Sequence, residues 1–146
     1  MNNTISIKAK GHSMMPLIVP GDSLQIHKVD ANTFLSWGDI IVFLYKGELI
    51  AHRIILRLSN RIITKGDNSY QKETLYSRKG IVGKVIVIKK RQGSIHFDKI
   101  STQLAQYYLT FFSLSSFILP FALYRCLLFI FGIRSFLIWL ILEKKK

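Results

Sequence analysis

Short apolar runs separated by polar turns fill the first two thirds of the chain. The runs are rich in valine and isoleucine, which favour β-strands, and the glycine, asparagine and aspartate residues between them favour turns. This pattern predicts strands over residues 5–8, 23–29, 39–45, 48–58, 61–65 and 81–89. Because no helical segment separates these strands, the sequence predicts a mainly β fold, a compact barrel-like domain over residues 1–100.

A different pattern follows a polar connection at residues 91–101. Residues 107–124 carry no charge, and residues 126–142 carry only Arg134. A membrane span needs about 20 apolar residues, so these stretches predict one tilted span, a helical hairpin or helices lying at the membrane interface. A domain this small cannot cover so much apolar surface, so residues 101–146 are expected to form membrane-associated hydrophobic helices.

The net charge of +13 narrows the choice of partners. No nucleic-acid-binding motif accompanies the charge, so anionic lipid beside the apolar tail is expected and nucleic acid is not. Basic residues at 89–91 and 144–146 flank the apolar region, and the positive-inside rule favours the cytoplasm for both flanks. A hairpin would keep the β domain in the cytoplasm, whereas a single span would put it outside. The expected location is the cell membrane, and the sequence does not determine on which side of it the catalytic domain lies.

The first candidate catalytic residue lies in the run GHSMMP at residues 11–16. A serine nucleophile needs a tight turn that projects its hydroxyl and turns its own N–H toward the developing oxyanion, and Gly11 and Pro16 constrain Ser13 in this way. His52 lies in the apolar strand predicted over residues 48–58, where a lone histidine is more often structural than catalytic. Neither residue would be assigned a catalytic role on its own.

Six segments in order resemble the type I signal peptidase family, over about residues 9–88. They are GHSMMP at 11–16, GD at 21–22, GDIIVF at 38–43, HRI at 52–54, TKGDN at 64–68 and VGKV at 82–85. The resemblance implies that Ser13 is the nucleophile, that its backbone N–H serves the oxyanion, and that His52 is the general base. Histidine at this position is typical of the endoplasmic-reticulum, archaeal and some Gram-positive members, whereas typical bacterial members have lysine.

Two carboxylates are candidates for the acid that completes a catalytic triad. Asp67 in the turn matches an acidic position of the family motif and is ranked first, while Glu73 is the alternative acid. The sequence also departs from the family pattern. His12 replaces a small residue and is a rival base, Gly11 offers no hydroxyl to an oxyanion, and the N-terminal residues show no apolar anchor.

The resemblance therefore implies a membrane-associated serine endopeptidase that cleaves signal or leader peptides from precursors after small residues. Two alternatives are a catalytically inactive peptidase fold that binds peptides or belongs to a membrane complex, and a LexA-like self-cleaving regulator. The related LexA-like peptidases share G-x-S-M and G-D segments but use a lysine base. No cofactor or metal is expected, because no ligand spacing or phosphate-binding loop occurs. The oligomeric state is not predicted.

Overall fold

The computed structural model describes residues 3–75 and 78–97, together with residues 103, 106, 107 and 110. The strands are β1 (Thr4–Lys8), β2 (Ser23–Lys28), β3 (Ile40–Tyr45), β4 (Glu48–Arg57), β5 (Ile62–Lys65), β6 (Lys72–Leu75), β7 (Ile81–Lys90) and β8 (Gly93–His96), with a 3₁₀ turn at Arg78–Gly80 before β7. The fold is mainly β, as the sequence predicted.

All strand pairs between described residues are antiparallel and form one sheet in the order β1-β2-β7-β3-β4-β5-β6. β7 pairs with β2 along one side, and with β3 and β8 at successive stretches of the other. β1 and β6 are the two edges and do not pair with each other across the described part of the chain. The sheet is therefore open, whereas the sequence analysis expected barrel-like closure.

The core has two apolar clusters, which lie on opposite faces of β3. Ile40 and Val42 belong to one cluster, and Ile41 and Phe43 belong to the other. Successive side chains of a strand point to opposite faces, so a strand that is apolar at every position must be covered on both. Burial of each such side chain stabilises the fold by about 1.5–3 kcal/mol. β3 consequently holds the centre of the sheet, next to β4.

The six predicted strands are all present, with ends within two residues of the predicted ones. Two short strands were not predicted. β6 has the sequence KETL, which lacks an apolar run, and β8 lies inside the segment that was expected to be a polar connection. Both strands pair along only four positions, so their partners rather than their own composition determine them.

Asp22 and Asp39 end two similar turns that precede β2 and β3. Each carboxylate accepts a hydrogen bond from the backbone N–H three residues earlier, from Val19 and Ser36 respectively. Each also pairs with a lysine of β7, because Lys90 lies 2.8 Å from Asp22 and Lys84 lies 2.8 Å from Asp39. These aspartates are structural and join the two turns to β7.

Residues 103, 106, 107 and 110 are helical, and the last three contact the turn before β3. The ring of Tyr107 stacks on that of Trp37 with centroids 5.6 Å apart, and Gly38 lies against Gln106, Tyr107 and Thr110. No helix within the described residues is long and apolar enough to cross a membrane. Of the predicted membrane-associated stretches 107–124 and 126–142, only Tyr107 and Thr110 are among the described residues.

Candidate active site

Ser13 lies in the loop between β1 and β2. The loop folds back on itself, because the N–H of Met15 donates to the carbonyl of His12 and the N–H of Ile18 donates to that of Met14. Met14 and Leu17 are buried in the core and anchor the loop on both sides of the turn. Ser13 is left half-buried, while His12 is exposed. This arrangement suits a hydroxyl that must be fixed and yet reachable.

His52 brings its imidazole to this hydroxyl from β4. Its Nε2 lies 3.0 Å from Ser13 Oγ, within hydrogen-bond distance. The side chain is 5% exposed and its ring meets that of Phe43 edge-on. The two residues that the sequence singled out are thus in direct contact, although 39 positions separate them.

Glu73 of β6 contacts the other side of the imidazole. Its Oε2 lies 2.7 Å from His52 Nδ1, and the hydroxyl of Thr64 donates to the same oxygen at 3.2 Å. Antiparallel pairing places Thr64 of β5 opposite Glu73, so the register between these strands sets the contact. Because a carboxylate can only accept, Nδ1 carries the proton and Nε2 is left to accept one from Ser13.

Asp67, which the sequence analysis ranked first as the acid, binds a different partner. Its two oxygens accept hydrogen bonds from Arg53 Nε at 2.8 Å and Arg53 Nη2 at 2.6 Å. Both side chains are almost fully buried, and Arg53 Nη1 also donates to the carbonyl of Gly38. A fully paired buried carboxylate of this kind holds structure together. The acid on His52 is the alternative candidate, Glu73.

The turn that contains Asp67 also packs directly on the nucleophile. The N–H of Asn68 donates to the carbonyl of Ser13 at 2.7 Å, and the Asn68 amide reaches the carbonyl of His12 at 3.4 Å. A Cβ added at Gly66 would lie 2.6 Å from the Ser13 carbonyl oxygen and 3.0 Å from His52 Nε2. Only glycine fits between these groups. Gly66 and Asn68 were not predicted to have a role of their own, although both belong to the TKGDN segment.

The strand that carries His52 has a hydrogen-bonding edge that is free within the described part of the chain. Residues 48–53 of β4 pair with β3 on one side, but β5 joins the other side only from Arg53 onward. No described strand pairs with that side of residues 48–52. An exposed edge of this type accepts an added extended strand. The edge ends at His52, beside Ser13.

The described residues contain no group of three or more His, Cys, Asp or Glu side chains that could hold a metal ion. The described site consists of a hydroxyl, an imidazole and a carboxylate in a continuous chain of contacts. That sequence of groups activates a serine hydroxyl for nucleophilic attack in several unrelated folds. The geometry of the three groups matches that of serine hydrolases with a serine–histidine–acid arrangement.

Comparison with known families places the chain more narrowly. The Peptidase S24-like family matches residues 1–86, more than half of the chain, and the protein belongs to this family. No curated protein matches the sequence. Membership supports the wider superfamily of LexA-like and signal-peptidase-like serine peptidases, to which the resemblance pointed.

Proposed function

We propose that the protein is a membrane-associated serine endopeptidase that removes signal or leader peptides from precursors. The observation that carries the proposal is the chain of contacts from Ser13 through His52 to Glu73. Family membership supports peptidase activity in general. The finer assignment to the histidine-using signal peptidases rests on the ordered segments of the sequence.

In the first half of the reaction, His52 Nε2 takes the proton of Ser13 as Oγ attacks the scissile carbonyl carbon. The imidazolium that forms is stabilised by Glu73, which accepts its Nδ1–H. The Ser13 N–H donates to the developing oxyanion. His52 then gives its proton to the leaving amine, the C–N bond breaks, and an acyl-enzyme ester on Ser13 remains.

The second half of the reaction repeats these steps with water. His52 takes a proton from the attacking water, and the tetrahedral intermediate collapses as the ester C–O bond breaks. Ser13 Oγ leaves with the proton from His52, and the new carboxyl terminus departs. The enzyme returns to its starting protonation state, so no cofactor is required.

The free edge of β4 supplies a place for the substrate. A leader peptide in extended conformation would add to residues 48–52 through backbone hydrogen bonds and so lead its scissile bond toward His52 and Ser13. Backbone pairing is largely independent of side chains, so it suits an enzyme that processes precursors of varied sequence. Selection for small residues near the cleaved bond follows from the signal peptidase resemblance.

Cleavage of a leader-type peptide by the full chain in detergent tests the proposal. Ser13→Ala and His52→Ala are each expected to lower kcat by roughly 10⁶-fold, because the two groups act as a unit. His12→Ala is the matched control, since His12 is exposed beside the nucleophile. Unchanged cleavage by both active-site variants would refute the assignment, and loss in His12→Ala alone would move the base to His12.

A self-cleaving regulator is the second candidate, favoured by the Peptidase S24-like match. The two functions differ in molecularity. Self-cleavage within one molecule has a first-order rate that does not change with protein concentration, and the wild-type chain would not cut added Ser13→Ala chain. A leader peptidase instead turns over a separate peptide many times and remains intact.

A further inference from the structure

Three aromatic side chains near the end of β4 are exposed to solvent. They form what we call the aromatic patch: Phe34, Trp37 and Tyr107, of which Trp37 and Tyr107 are stacked. Phe34 is the most exposed of them at 71%. Clusters of exposed apolar residues on a small protein generally mark a contact surface.

The loop that carries the patch is held in place by β4. The guanidinium of Arg57 lies 5.0 Å from the centre of the Phe34 ring and donates to the carbonyl of Leu35 at 2.6 Å. The indole N–H of Trp37 donates to the carbonyl of Ile55 at 2.9 Å. These contacts join the loop between β2 and β3 to Ile55 and Arg57 at the end of β4.

A second set of contacts fixes the start of the same loop. The carboxylate of Asp30 accepts hydrogen bonds from the N–H groups of Asn32 and Thr33 and from the Thr33 hydroxyl. The hydroxyl contact, supported by the backbone ones, lowers the pKa of Asp30. Arg78 donates to the carbonyls of Ala31 and Thr33. Phe34 therefore protrudes from an ordered loop.

The surroundings of the patch are basic. Arg57 lies against the Phe34 ring, and Arg78 donates to the loop that carries Phe34. The loop itself carries two acidic residues, the exposed Asp30 and the buried Asp39, which is paired with Lys84. Aromatic side chains with neighbouring arginines match the interfacial layer of a bilayer, where rings lie among headgroups and cations meet anionic phosphates.

The patch is also continuous with the part of the chain proposed to enter the membrane. Tyr107 stacks on Trp37, and Thr110 is buried against Gly38. The uncharged sequence 111–124 follows directly. A β domain tied at this point to an apolar segment would meet the bilayer with its aromatic patch.

We infer that the aromatic patch is the face with which the β domain docks on an anionic lipid bilayer. The inference rests on the proposed membrane association. It adds that the domain itself touches the surface, with Phe34 and Trp37 in the interfacial layer. An interfacial apolar face inserts roughly 5–10 Å into the boundary between headgroups and acyl chains.

Tryptophan fluorescence in vesicles tests the docking face with the full chain. Trp139→Phe leaves Trp37 as the reporter, and Phe34→Trp with both natural tryptophans replaced by phenylalanine is the second reporter. The matched control is Thr4→Trp in that background, because Thr4 is exposed on β1 at the far edge of the sheet. Vesicles contain phosphatidylcholine with phosphatidylglycerol, with bromine near the top of the acyl chains.

Both patch reporters are expected to shift to the blue and to be quenched by bromine, while the Thr4→Trp control shows neither. Phosphatidylcholine alone should give a smaller effect. Equal quenching of patch and control reporters, or no quenching of the patch in protein that sediments with vesicles, would overturn the inference and leave membrane association intact. Failure of the chain to sediment with vesicles would overturn both, and leader-peptide cleavage measured on each variant tests the peptidase separately.

Discussion

Glu73 and Asp67 are both buried carboxylates, but they have different partners. Glu73 lies on His52, and Asp67 is paired with Arg53 on both oxygens. Membership of the TKGDN segment, which contains Asp67, therefore does not identify the acid that contacts the imidazole. The difference can be measured, because the two contacts affect different properties of the enzyme.

Glu73→Gln is expected to lower kcat by about 10²–10⁴-fold with little change in KM. The amide keeps the shape of the side chain but no longer stabilises the imidazolium, and its NH₂ favours the histidine tautomer with the proton on Nε2. Steady-state cleavage of a leader-type peptide measures this change. A variant with unaltered kcat would show that Glu73 does not assist His52.

Asp67→Asn is the matched change at the other acid. It leaves the Arg53 charge buried with a weaker partner, and loss of one member of a buried pair typically costs about 3–5 kcal/mol. Urea unfolding should show a lower midpoint for Asp67→Asn, and a smaller change for Glu73→Gln. The prediction fails if Asp67→Asn is as stable as wild type and loses only activity.

Gly66 packs so closely against both the nucleophile and its base that a methyl group has no room there. In Gly66→Ala the new Cβ would press on Ser13 and His52, and a displacement of reacting groups by about 1 Å can cost 10²-fold in rate. Gly80→Ala is the control, because its Cβ would meet nothing closer than the Leu44 carbonyl at 3.7 Å. Comparison of kcat for the two variants checks the prediction, which equal activities would contradict.

The free edge of β4 is the feature of a single strand that matters most for function. β5 pairs with β4 only from Arg53 onward, so no described strand pairs with that side of residues 48–52, next to His52. β6 contributes through its pairing instead, because its register with β5 brings Glu73 to the site. The substrate edge thus belongs to β4, and the acid belongs to β6 on the far side of β5.

Substrate peptides methylated at single backbone nitrogens test the use of this edge. Each methyl group that removes a backbone hydrogen bond to β4 should raise KM about 2- to 12-fold, for a loss of about 0.5–1.5 kcal/mol. Methylation far from the scissile bond, beyond the reach of five strand residues, is the control. Equal KM values for all methylated peptides would show that the substrate does not add to β4.

The arrangement of the whole chain depends on the basic flanks of the apolar region. We expect reporters fused after Lys99 and after Lys146 to be in the same compartment, because lysine and arginine clusters at 89–91 and 144–146 both favour the cytoplasm. Such a result supports a hairpin. Reporters in opposite compartments would instead support a single span and an external β domain.

Much of the fold could be predicted from local sequence. The isoleucine- and valine-rich runs predicted β1–β5 and β7, because strand composition is a local property. β6 and β8 were missed because short polar strands are stabilised mainly by their neighbours. The open sheet was not predicted, since closure depends on whether the two edge strands meet.

The sequence by itself determined which residues could form the site. Ser13 in a constrained loop and His52 in an ordered set of segments were recognisable without coordinates. Only the tertiary structure decided that Glu73 rather than Asp67 meets the imidazole, that Gly66 must lack a side chain, and that no described strand covers one side of residues 48–52 of β4. Those outcomes depend on strand register and on contacts between distant positions, which the order of residue types along the chain does not specify.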